Sequence, residues 1–162
     1  MGEALSPEQQ TLLDHRRADF PQFLAERYPC LEEFLADLGL PTPTLVRSAA
    51  HTFVKPLHAW LQSQTVSEAD RTWLCARLGP FIGEVFAQRY QGQWLVCTDP
   101  SRRFFGRYVV GFGQAPENGY LVDAFEAAYS LAVQPAPRSL EAHIAEIETV
   151  LTAFHSPPSG AV

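Results

Sequence analysis

Glu84 is the residue in this sequence whose surroundings least suit a charge. It stands in LGPFIGEVF, residues 78–86, among Phe81, Ile82, Val85 and Phe86. A carboxyl group withdrawn from water can act as a general acid or base. It can equally accept hydrogen bonds from backbone amides, a tyrosine hydroxyl or the Trp94 indole, and so fix one element against another. Catalysis requires a second titratable group. Asp99, or a histidine brought near by folding, is the candidate, and neither stands at a telling spacing from Glu84. The pattern therefore favours a structural Glu84, with catalysis by Glu84 and Asp99 as the alternative. A structural Glu84 predicts that Glu84→Gln costs less stability than Glu84→Ala.

A second group is cationic. Residues 99–107 hold Arg102, Arg103 and Arg107 against one aspartate, in a chain whose formal net charge is −6. Phe104, Phe105 and Tyr108 interleave with them. Arginine makes forked contacts to carboxylates and phosphates, so Arg102, Arg103, Arg107, Phe105 and Tyr108 are the candidate binding residues. The competing reading is a solvated hairpin whose arginines protect a sheet edge. The order of aromatics and glycines does not match an RNA-binding strand, and an acidic chain does not suit general nucleic-acid binding. Charge reversal of exposed arginines predicts little change in melting temperature.

Other chemistries find less to stand on. His51 and His58 are seven positions apart, about 10 Å along a helix, which is too far for one metal. The remaining histidines, His15, His143 and His155, and the three cysteines, Cys30, Cys75 and Cys97, form no close Cys/His pattern. No metal and no cofactor is therefore expected. An odd number of widely spaced cysteines suits reduced thiols in a cytoplasmic protein rather than a disulfide framework. GFGQAPENG, residues 111–119, has a bare GxG without the third glycine or the following helix of a dinucleotide site, and reads as a hairpin end. The start, MGEALSPEQQ, resembles neither a secretory signal nor, beyond Gly2 and Ser6, a lipid-anchor signal, and no apolar run reaches the length of a membrane span.

These residues must be placed by helices, then a small sheet, then helices. Ser6, Pro7 and Gln9 open a helix that Pro21 should kink or split. A separate short helix carries Leu31, Phe34, Leu35 and Leu38 and ends at Gly39. Thr42 should cap a third helix, with Val46, Ala49, Ala50, Phe53, Leu57, Trp60 and Leu61 on one face and a kink at Pro56. Ser67 and Asp70 cap a helix that bends or restarts at Gly79-Pro80, reaches about Tyr90 and is closed by Gly92. Gly79 and Gly83 lie on its surface where a neighbour can approach closely. Aromatic and β-branched residues in QWLVCT and RFFGRYVVGF then predict two antiparallel strands, with a brief third at Tyr120–Val122. Asp123 with Glu126, and then Ser139, open two final helices. The fold class is α+β: N-terminal helices, a small antiparallel sheet of two or three strands, and two C-terminal helices. Residues 1–155 read as a single domain and 156–162 as a flexible tail.

Residues 78–151 resemble small uncharacterised bacterial proteins of the domain-of-unknown-function kind. The matching residues are Leu78, Gly79, Gly83 and Glu84, then Gly92 and Trp94, then Asp123 and Phe125, then Ser139 and Leu140. Pro80 departs from the pattern. The resemblance covers under half the chain. Some similar proteins neutralise toxins, so it implies an immunity-like or adaptor role. The expectation is a non-catalytic, cytoplasmic protein-binding domain with a protein partner, no nucleic acid and no membrane, its oligomeric state open. The alternative is a small enzyme, a hydrolase, using Glu84. Gly79, Gly83, Glu84 and Trp94 are the expected structural residues.

Overall fold

Ser6 accepts the Gln9 backbone N–H, and the Gln9 side chain accepts the Ser6 N–H in return. That reciprocal cap starts α1, Pro7–Asp37, one unbroken helix of 31 residues. The computed structural model describes residues 4–155; the tail expected over 156–162 lies outside the described residues. The expected split at Pro21 does not occur, and the Leu31–Leu38 stretch is not a separate helix. Pro21 and Pro29 both sit inside α1 on exposed positions. Each removes a hydrogen bond to the carbonyl four residues earlier, at Arg17 and Ala25. Both of those residues are exposed as well, so water can take the freed carbonyl.

The third expected helix is instead broken. A 3₁₀ turn at Pro43–Leu45 leads into α2, Val46–Ala49, a second 3₁₀ turn at Ala50–Phe53, and α3, Val54–Gln62. Thr42 is left-handed, with φ 53°, and its side chain caps nothing. Pro56 is the third residue of α3, where its missing N–H is one that the helix start would leave unpaired anyway. The break lies at Ala49–Ala50.

Ser67 accepts the Asp70 N–H and opens α4, Glu68–Arg89. This helix is continuous through Gly79-Pro80 and does not restart there. The carbonyl that Pro80 frees belongs to exposed Ala76. Gln91, not Gly92, supplies the left-handed residue that ends α4, with φ 54°, and the Gly92 N–H donates back to the Ala87 carbonyl. Gly92 serves packing: a Cβ there would lie 2.5 Å from the Phe112 ring.

The sheet is antiparallel, in the order β1–β2–β3, with β1 at Gln93–Val96, β2 at Tyr108–Gly111 and β3 at Leu121–Val122. Trp94 pairs with Val110, and Val110 with Val122. These three face the main core, and the alternation of strand side chains sends Val109 and Leu121 to the other face. The second face closes on Cys97 and Phe104. Residues 99–106 are turns rather than strand, so Arg102, Arg103 and Phe105 lie off the ladder. Asp123 accepts the Glu126 N–H and caps α5, Ala124–Val133. Ser139 accepts the Ala142 N–H ahead of α6, Leu140–His155. The architecture is α+β, and one contiguous apolar cluster runs from Leu31 to Leu151 through all its layers. Among the described residues no helix is long and apolar enough to cross a membrane.

Candidate functional site

Glu84 is 2% exposed, and both of its oxygens are occupied. Oε1 accepts from Trp94 Nε1 at 2.9 Å, with Arg27 Nε 3.2 Å away. Oε2 accepts from the Tyr28 hydroxyl at 3.0 Å and from Gln88 Nε2 at 3.2 Å. The Arg27 Nε–H is aimed off the line of a hydrogen bond, so that contact is an ion pair only. Three hydrogen-bond donors, from α1, α4 and β1, and one α1 guanidinium thus converge on a single carboxylate.

Gln88 carries the connection further. Its Nε2 donates to the Val46 carbonyl and its Oε1 accepts from the Ala50 N–H, both at 2.8 Å. Val46 and Ala50 are four residues apart, so a helix would have joined them directly. The Gln88 amide stands in for that missing bond at the break after α2.

Gly79 and Gly83 lie on the sides of α4 that meet Phe125 and Trp94. A Cβ at Gly79 would fall 2.4 Å from the Phe125 ring, and one at Gly83 would fall 2.1 Å from the Trp94 ring. The close approach is therefore between helix backbone and aromatic ring.

Burial, followed by the charge of Glu84 and the hydrogen bond to it, pushes the Tyr28 hydroxyl above the usual tyrosine range, while Arg27 opposes this. Burial also comes first in raising Tyr90, Tyr108 and Tyr120. A group whose pKa is higher folded than unfolded gives stability that is fully present below its unfolded pKa, about 10 for tyrosine, and lost as pH rises through the folded value. Urea midpoints measured from pH 8 to pH 11.5 should hold steady and then fall above about pH 10. Tyr28→Phe should lower the neutral-pH stability by about 1 kcal/mol and make the alkaline fall shallower. An alkaline limb identical to that of the wild type would remove Tyr28 from this linkage.

The cavity beside Glu84 measures about 380 Å³ and is walled by Phe20, Leu24, Arg27, Tyr28 and Trp94. Among the described residues lining it there is no second carboxylate and no histidine. Asp99 is elsewhere: it accepts the Ser101 N–H and hydroxyl at an exposed turn, and these bonds hold its carboxyl below the usual range. The structure does not bring Glu84 and Asp99 into one pocket. Among the described residues no group of three or more His, Cys, Asp or Glu side chains is arranged to hold a metal. Cys97 packs in the small cluster behind the sheet, and burial pushes the Cys75 thiol up.

The three arginines are committed internally. Arg102 donates to the Gly119 carbonyl at 3.0 Å. Arg103 donates to both Glu126 oxygens, at 3.0 and 3.2 Å. Arg107 donates to Asp123 at 2.7 Å and to Glu126 at 2.9 Å. The turns at 99–106 are thereby strapped to the first turn of α5, where Asp123 is already the cap. This changes the expectation of neutral charge reversal. The Asp123 side chain is only 5% exposed, so Arg107→Ala should lower stability by about 1 kcal/mol, less at high salt, as measured by denaturant midpoints at two ionic strengths. Arg103→Ala, at a mostly exposed pair, should do less. Equal effects would place the strap elsewhere.

Arg107 and Tyr108 also edge an open groove of about 580 Å³ between α1, β2 and α5. Phe23 lies in its wall, 5.0 Å from the Tyr108 ring and 6.0 Å from the Phe125 ring between centroids. Tyr129, one turn beyond Phe125 on α5, is 55% exposed. Arg16 stands on the α1 side, and Asp123 and Glu126 on the other. Phe105 is half-buried on its turn and is not part of this groove. Sequence reasoning missed Phe23, Phe125, Tyr129 and Arg16 here, and Arg27, Tyr28 and Gln88 around Glu84. Only Gln88, four residues after Glu84 on one helix, carried a local signal. Comparison with family models, with curated proteins and with solved structures finds no match for this chain.

Proposed function

We propose that the chain is a non-catalytic protein-binding domain that presents the groove between α1, β2 and α5 to a protein partner. One observation carries the reading. An open groove of about 580 Å³ is walled by Phe23, Tyr108, Phe125 and Tyr129, while its carboxylates, Asp123 and Glu126, are already held by Arg107. Aromatic anchor sites with a charged rim suit protein recognition. Paired carboxylates do not suit proton transfer. The enzyme reading loses support at Glu84, whose two oxygens are filled by the protein itself. Cytoplasmic residence belongs to the same proposal and rests on the odd count of cysteines.

The test compares the purified wild-type chain with Tyr129→Asp, an exposed site where a charge spoils the apolar wall without touching the core. A partner recovered from the native cell extract, then purified, should bind the wild type in a calorimetric titration at one-to-one stoichiometry. It should bind Tyr129→Asp at least about tenfold more weakly, a hot-spot effect. Equal binding to both chains would place recognition elsewhere. Turnover of ester or amide substrates by the wild type that disappears in Glu84→Gln, with the fold intact, would return the chain to the enzymes.

A further inference from the structure

We infer that the segment seated in the groove carries an apolar anchor next to a carboxylate, and that Arg16 recognises the carboxylate. This rests on the protein-binding reading and specifies the partner's chemistry. Arg27, Arg47, Arg89, Arg103 and Arg107 all form ion pairs within the chain. Arg16 lines the groove, is exposed, and makes no ion pair among the described residues. Its backbone is nevertheless held in place: the Tyr108 hydroxyl on β2 donates to the Arg16 carbonyl at 3.1 Å. A guanidinium on an anchored turn, beside an aromatic wall and without a counter-charge, is prepared for a forked contact to a carboxylate.

The neighbouring charges narrow the position. Glu126 and Asp123, across the groove on α5, are neutralised by Arg107 and Arg103. Asp19 and Arg16 act on the Tyr108 hydroxyl in opposite senses, after burial. Arg16 is therefore left to an incoming carboxylate, with the anchor between Phe23, Phe125 and Tyr129. A basic segment would meet the unpaired Arg16, and like charges at an interface count against a partner. Nucleic acid would share the affinity for arginine, but it would approach a chain of net charge −6.

The test uses a displayed library of random linear peptides selected on the 162-residue chain. Enriched peptides should place Asp or Glu within a few positions of Phe, Tyr, Trp, Leu or Met. A synthetic peptide of that kind should bind Arg16→Glu at least about tenfold more weakly than wild type. Replacing its acid by Lys should restore binding to Arg16→Glu and weaken binding to wild type. Arg16 and Tyr129 are exposed, so the melting temperatures of their variants should match the wild type and exclude misfolding as the cause. Peptides lost from Tyr129→Asp but indifferent to Arg16→Glu would overturn this inference and leave the groove as a binding site. Peptides indifferent to Tyr129→Asp, or no enrichment at all, would overturn both. Tighter binding of a thymidine oligonucleotide than of any peptide would replace the protein partner with nucleic acid.

Discussion

Gly83→Leu should destabilise the fold by on the order of 4 kcal/mol, more than most single substitutions. The first added carbon already falls 2.1 Å from one Trp94 ring atom and 2.3 Å from another. Flexible side chains can yield to such a contact, but Trp94 cannot do so cheaply. Its Nε1 donates to Glu84, its ring lies 5.0 Å from Phe23 and 6.2 Å from Phe125, and it is 5% exposed. Moving it forfeits a hydrogen bond to a charged group, worth about 1.5–3 kcal/mol, on top of the overpacking. Gly83→Ala makes the same first contact, offset by about 1 kcal/mol of gained helix propensity, and should lie between wild type and Leu. Denaturant midpoints give the order, and near-ultraviolet circular dichroism reports the tryptophan environment. A Leu variant with the wild-type midpoint would mean that α4 and β1 are not pressed together at this point.

Glu84→Ala should cost a similar amount, about 3–5 kcal/mol, the range for removing one partner of a buried charge pair. Arg27, 20% exposed at its side chain, loses its counter-charge. The Tyr28 hydroxyl, the Trp94 indole and one Gln88 N–H lose their acceptor. Glu84→Gln should cost less, about 1–2 kcal/mol. Its oxygen can serve Trp94, and the Tyr28 hydroxyl can turn to accept from the new amide. The Gln88 amide cannot turn, because its other end is committed to Val46 and Ala50, so one pair of donors must face each other. The order Ala worse than Gln worse than wild type marks a structural carboxylate. Full stability in Glu84→Ala would leave partner binding or chemistry as the reason for it.

What could be read in advance was local. The caps at Ser6, Ser67, Asp123 and Ser139 are decided within four residues, and the change from helical to alternating period at Gln93 needs no knowledge of the rest of the chain. The continuous α1 could not be read, because the cost of Pro21 and Pro29 depends on which face of the helix meets water. The partners of Glu84 were hidden by distance along the chain: Tyr28 lies 56 positions away. Arg103 and Arg107 looked available because their carboxylates, Asp123 and Glu126, stand 16 to 23 positions later. The groove was hidden for the same reason, since Phe23 and Tyr129 line one wall only once α1 and α5 are in place.

The Gln88 amide gives the backbone an unusual reporter. The Ala50 N–H lies where the local winding has failed, and amides at such breaks ordinarily trade their protons with solvent readily. Here the proton is held by a side chain of α4 that is itself gripped by Glu84. Deuterium uptake at Ala50 should therefore be slow, and its rate should follow the integrity of the α1–α4–β1 junction rather than that of its own turn. One backbone site would then show, without any attached probe, when the interior lets go.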